Sequence, residues 1–82
     1  MLELDIGLFA GLSCNNPELP SYGEKVVRLE APDGLSIRQL RNLLAIDPAV
    51  PLIAMVNNRH EKEDFVLHNG DRVAMFPPLG GG

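Results

Sequence analysis

Leu2, Leu4, Ile6 and Leu8 alternate with Glu3, Asp5 and Gly7. A period of two predicts a half-buried strand whose aliphatic side chains face a core. Phe9 falls on the opposite, polar parity. Residues 10–24 then lose all periodicity: Gly, Ser, Asn-Asn-Pro, Pro-Ser and Gly are loop chemistry throughout. A loop that long in a small chain is often functional or mobile. Residues 25–30 alternate again, with Val27 and Leu29 on one face.

Pro32-Asp33-Gly34 predicts a turn, and a helix start follows. Ser36 is placed to cap, Gln39 three residues on completes a capping box, and Leu35 and Leu40 have the spacing of a hydrophobic staple. Ile37, Leu40, Leu43 and Leu44 form the apolar stripe, with Arg38, Gln39, Arg41 and Asn42 expected to face water. Asp47-Pro48 is the expected stop, because a residue before proline is pushed out of helical geometry. The apolar run 52–56 predicts a strand, the polar run 59–64 a turn with at most a short strand, and Arg72 to Phe76 a last strand. In that strand Val73 and Met75 share one face, Ala74 and Phe76 the other. The order predicts an α+β fold, a sheet of four to five strands with one main helix across one face.

Eighty-two residues allow one core. With 45% hydrophobic residues and few aromatics (Phe9, Tyr22, Phe65, Phe76), that core must be aliphatic. The net charge of −4, with only Lys25 and Lys62 as lysines and the arginines scattered, argues against nucleic acid as a partner. A single cysteine, Cys14, excludes an internal disulfide, and a plain free thiol is expected there. No Cys/His spacing suits zinc, His60 and His68 sit in polar turns, and Glu61, Glu63 and Asp64 read as a solvated charge run. The start of the chain has no basic segment of the signal-peptide kind, and no apolar run is long enough to span a membrane. The expectation is a cytoplasmic protein with no membrane partner. No nucleophile–base pair or phosphate loop points to catalysis.

Chemistry concentrates at the far end. Pro77-Pro78 cannot donate to a sheet ladder, so the last strand should stop there. Residues 79–82, Leu79-Gly80-Gly81-Gly82, then read as a flexible functional tail after a domain spanning 1–78. Four extended residues reach about 13–14 Å, enough to enter a partner's active site. Glycine has no side chain to block a narrow channel. A terminal carboxylate resists nucleophiles until it is activated, for example as an acyl-adenylate, after which a sulfur nucleophile can displace AMP and leave a thiocarboxylate. Phe76 and Phe9, both on the non-core parity, would lie together on an exposed sheet face if their strands are neighbours, and such a patch suits docking.

Leu8-Phe9-Ala10, Leu35-Ser36-Ile37-Arg38-Gln39-Leu40, Met55-Val56-Asn57-Asn58, Gly70-Asp71-Arg72-Val73 and Phe76-Pro77-Pro78-Leu79-Gly80-Gly81-Gly82 together resemble the MoaD/ThiS family of sulfur carriers of molybdopterin and thiamine biosynthesis. The resemblance implies a β-grasp (ubiquitin-like) fold with the last strand parallel to the first. It implies an E1-like activating enzyme that uses ATP, no cofactor bound to the carrier itself, and Gly82 as the modified residue, with Gly80 and Gly81 leading to it. A larger acceptor subunit or a sulfur-accepting enzyme is the second implied partner, and Phe76, Phe9 and Leu79 are the expected partner-binding residues. The chain would then be a carrier, or the non-catalytic small subunit of an enzyme such as molybdopterin synthase. Thiamine-type delivery, a ubiquitin-like modifier joined to lysine, and a passive β-grasp module stay open beside it. Three features set this chain apart: a third glycine, Asn57-Asn58 in place of Asn-Gly, and the long first loop.

Overall fold

The leucine alternation forms β1, Leu2–Leu8, whose Leu2, Leu4, Ile6 and Leu8 are all buried. β2 follows at Val26–Ala31, one residue later than the alternation predicts, then α1 at Ile37–Leu43, β3 at Ile53–Val56, β4 at Arg59–Glu61 and β5 at Arg72–Phe76. This computed structural model describes residues 1–78. The five strands make one mixed sheet in the order β2-β1-β5-β3-β4. β1 pairs antiparallel with β2 and parallel with β5, while β3 is antiparallel to both β5 and β4. The last strand thus lies beside the first, in parallel. This is the β-grasp arrangement.

The helix start is built as its sequence dictates. The Gln39 amide donates to Ser36 Oγ (3.1 Å) and the Ser36 amide to Gln39 Oε1 (2.9 Å). The Ile37 and Arg38 amides reach the carbonyls of Phe65 (3.0 Å) and Glu63 (2.9 Å). All four amides that a helix N-terminus leaves unpaired are therefore satisfied. Leu35 and Leu40 are both buried, as a staple requires.

The helix end differs from expectation. It stops at Leu43 and caps at Leu44, well before Asp47-Pro48. Ala45 adopts a left-handed conformation (φ 58°), its amide bonding the Asn42 carbonyl (3.0 Å) and the Ile46 amide the Arg41 carbonyl (3.2 Å). That pair of bonds is a Schellman motif, usually closed by glycine. Asp47-Pro48 instead opens a turn, with the Val50 amide on the Asp47 carbonyl (3.0 Å). An L-residue pays roughly 1–2 kcal/mol for the left-handed region, while glycine costs about 0.4–1 kcal/mol through the unfolded chain. Ala45→Gly should therefore stabilise the protein by about 0.5–1 kcal/mol, read as a raised urea midpoint at constant slope.

Two positions on α1 also depart from the simple stripe. Leu43 is only half-buried, and Arg41, expected in water, is 95% buried, with 5% relative exposure. The chain after the helix folds over it. Arg41 Nη1 donates to Glu63 Oε1 (3.0 Å), and Nη2 to the carbonyls of Asp47 (2.7 Å) and Val50. Arg38 Nε binds the other oxygen of Glu63 at 3.2 Å. The Arg38 hydrogen bond is the main cause that holds the Glu63 carboxyl below its ordinary range; burial opposes it, and the Arg41 hydrogen bond and the two positive charges add to the lowering. The fork tethers α1 to the segment after β4.

Residues 10–24 are a packed cover rather than a loose loop. Cys14 is completely buried and free. Its amide bonds the Glu24 carbonyl (3.0 Å) and its carbonyl accepts from Gly23 (2.8 Å). The Asn15 amide and Asn16 Nδ2 take up the Leu44 and Leu43 carbonyls, at 2.9 and 2.8 Å. The first loop thus closes the helix C-terminus, while Leu12 and Leu19 pack on the core.

Candidate functional site

With Leu2, Leu4, Ile6, Leu8, Val27, Val73 and Met75 turned into the core, the alternate residues of each strand face outwards on the side away from α1. Strand register sorts them into rows. Val26, Gly7, Ala74 and Met55 stand side by side across β2, β1, β5 and β3. One step towards the C-terminal end of β5, Phe76 pairs with Ile53. Phe9 continues the parallel register beside them, its amide bonding the Met75 carbonyl at 3.0 Å. Both rings predicted for one exposed face do share it. Phe9 is 54% exposed and Phe76 half-buried, and neither belongs to the core cluster.

Gly7 gives this face its flat floor. A Cβ there would lie 3.0 and 3.1 Å from two atoms of the Phe9 ring, so the ring lies back over the glycine. Val26 is 75% exposed at the edge of the sheet. No strand or helix among the described residues covers the patch. A contiguous apolar surface of this kind is suited to docking.

One row further from the tail the face becomes charged. Arg28, Asp5 and Arg72 are neighbours on β2, β1 and β5, and Arg28 Nε meets Asp5 Oδ1 at 3.1 Å. The corner beside Arg72 is pinned by backbone and amide bonds. The Arg72 amide donates to Asn57 Oδ1 (3.0 Å), the Asn57 amide to the Arg72 carbonyl (2.8 Å), and Asn57 Nδ2 to the buried Asp71 (2.8 Å). Asn57 and Asn58 both have positive φ, 50° and 69°, so the Asn-Asn pair makes the tight hairpin that asparagine tolerates.

Of the residues singled out from sequence, Phe9 and Phe76 lie on this face, and Leu79, Gly80, Gly81 and Gly82 lie outside the described residues. Pro78, the last described residue, is two positions beyond Phe76. Sequence reading missed Val26, Ile53 and Met55 as parts of the patch. Strand β3 is apolar on both faces, so only its pairing with Phe76 and Ala74 shows which side chains turn outwards. His60 is exposed, and His68 makes an edge contact with Phe65 at 6.2 Å between ring centres. Among the described residues no group of three or more His, Cys, Asp or Glu side chains is placed to hold a metal. No described helix is long and apolar enough to cross a membrane.

Comparison with known proteins gives three kinds of result. A sequence profile described as the ThiS family matches residues 19–82. No curated protein matches significantly. Among solved structures, small archaeal modifier protein 1 of Haloferax volcanii superposes with a TM-score of 0.74 at 18% identity, over 96% of this chain and 100% of that one. A Pyrococcus furiosus protein assigned as molybdopterin converting factor subunit 1 gives 0.68 at 22%, over 96% and 100%. A Helicobacter pylori complex of subunits 1 and 2 of molybdopterin-converting factor gives 0.61 at 16%, over 99% and 100%. At these identities the likeness is one of fold.

Proposed function

This chain belongs to the ThiS family, and on that premise we propose that it is a sulfur carrier whose Gly82 carboxylate is adenylated by an E1-like partner and then converted to a thiocarboxylate. One observation carries the reading: an uncovered apolar sheet face ends at Phe76, two residues before Pro78, where the glycine tail follows in sequence. A partner seated on that face receives the tail with its approach already set. The partner supplies ATP. Attack of the Gly82 carboxylate on the α-phosphorus forms the acyl-adenylate and releases pyrophosphate. The outer sulfur of a donor persulfide then displaces AMP to give an acyl disulfide. A second thiol attacks the donor's inner sulfur, forming a disulfide there and releasing Gly82 as the thiocarboxylate. The carrier contributes no catalytic side chain, only position and a narrow, side-chain-free strand.

The acceptor proposed is a larger subunit of the molybdopterin-synthase kind, a choice supported by the fold shared with subunit 1 in the Helicobacter pylori complex. The fold shared with a small archaeal modifier supports a second reading, in which Gly82 is joined to a lysine. Both begin with adenylation, and both use the same face. Phe76→Glu should weaken binding to the activating enzyme by about 2 kcal/mol or more, the usual worth of a desolvated aromatic anchor, and leave the thermal midpoint near that of the parent. Titration calorimetry and a melting curve on the same preparation check it. Collapse of the fold would make Phe76 a core residue and remove the docking role.

A further inference from the structure

The charged row beside the apolar band is not balanced. Arg28 and Asp5 neutralise each other through their ion pair. Arg72, exposed on the same row, joins none of the ion pairs among the described residues. Two arginines less one aspartate leave this row at +1, in a chain whose total is −4. Glu3 and Glu30 face each other one step further out on β1 and β2, beyond the point where β5 begins, and neither reaches Arg72. The strand position that carries it is fixed: the Arg72 amide and carbonyl both bond Asn57, which Asp71 anchors in turn.

A partner that covers the apolar band also covers Arg72. Stripping water from an unpaired guanidinium is unfavourable unless an opposite charge replaces that water. Resting on the docking reading above, we infer that the activating enzyme presents a carboxylate to Arg72, about 13 Å along β5 from the site that receives Phe76, four residues at about 3.3 Å each. The pair fixes the polarity of docking. A partner turned by half a revolution would set its carboxylate against Phe76 and point the tail away from its active site. Complementary charge of this kind acts on orientation and encounter rate more than on total affinity.

The test uses full-length protein and an activating enzyme chosen because it adenylates this chain in ATP–pyrophosphate exchange. Arg72→Glu should raise the KM for the carrier tenfold or more at about 0.05 M salt, with kcat unchanged. The effect should shrink severalfold at about 0.5 M, where screening is strong. Lys62→Glu makes the same change in net charge beside α1, on the other side of the sheet, and should move KM less than twofold. Arg72→Gln, which removes charge without inverting it, should give an intermediate, salt-sensitive rise and serves if the glutamate variant melts early. An Arg72→Glu effect equal to that of Lys62→Glu, or one indifferent to salt, overturns the inference. If Phe76→Glu raises KM and Arg72→Glu does not, only the charge pairing fails. If neither does, the docking face itself is wrong.

Discussion

Adding a single residue after Gly82 should abolish adenylation, and deleting Gly82 should cut it about a hundredfold. The two changes act by different routes. An added residue moves the terminal carboxylate outwards by roughly 3.5 Å and places a side chain where the proposed channel would admit only backbone. Deletion leaves Gly80-Gly81, still a glycine pair, but withdraws the carboxylate by the same distance. A misplacement of even about 1 Å is enough to lose near-attack geometry. The folded domain should be indifferent, since every core residue lies at or before Met75. ATP–pyrophosphate exchange and a melting curve together check this. Undiminished exchange with the extended variant contradicts the account. Undiminished exchange with the shortened one assigns Gly80 as spare length.

Leu40→Ala should be the most damaging single truncation in the core. Leu40 is completely buried, sits one turn into α1, and closes the staple with Leu35. Removing a buried leucine side chain costs about 2–5 kcal/mol, through lost transfer free energy and the cavity left behind. A domain of this size has only about 4–12 kcal/mol of stability. The same change at the half-buried Leu43 should cost about 1 kcal/mol. Urea unfolding of the pair measures both, and equal losses at the two positions would contradict the burial pattern.

Features written in local chemistry were legible from the residues. The capping box, the staple and the inward parity of Leu2 to Leu8 each depend on neighbours within a few positions, and each forms as its spacing predicts. The Asn57-Asn58 turn survives for the same reason. What escaped reading depends on distant partners. Arg41 looks like a surface residue because it is charged, although its spacing from Ile37 and Leu44 places it on the buried stripe. It is buried only because the Asp47–Val50 turn and Glu63 come over it and supply the oxygens that water would have given. The helix stop after Leu43 is closed by a left-handed Ala45, with no glycine to announce it, and Asp47-Pro48 a few residues on was the louder signal. Residues 10–24 have no period, yet Asn15 and Asn16 find helix carbonyls and Cys14 fills the core behind them. Of the candidate site, Phe9 and Phe76 were visible through parity alone. Ile53 and Met55 were not, because an apolar strand does not declare which of its faces is covered, and Val26 joins them only through its register with Gly7.

Sulfur carriage separates from protein modification by mass. The intact chain, incubated with its activating enzyme, ATP, a persulfide sulfur donor and a thiol reductant, should gain the mass difference of one sulfur replacing one oxygen. Fragmentation should place the change on Gly82, and alkylation should trap it as a thioester. A chain of unchanged mass, or one recovered only as a larger species joined through Gly82 to a lysine, would contradict the account.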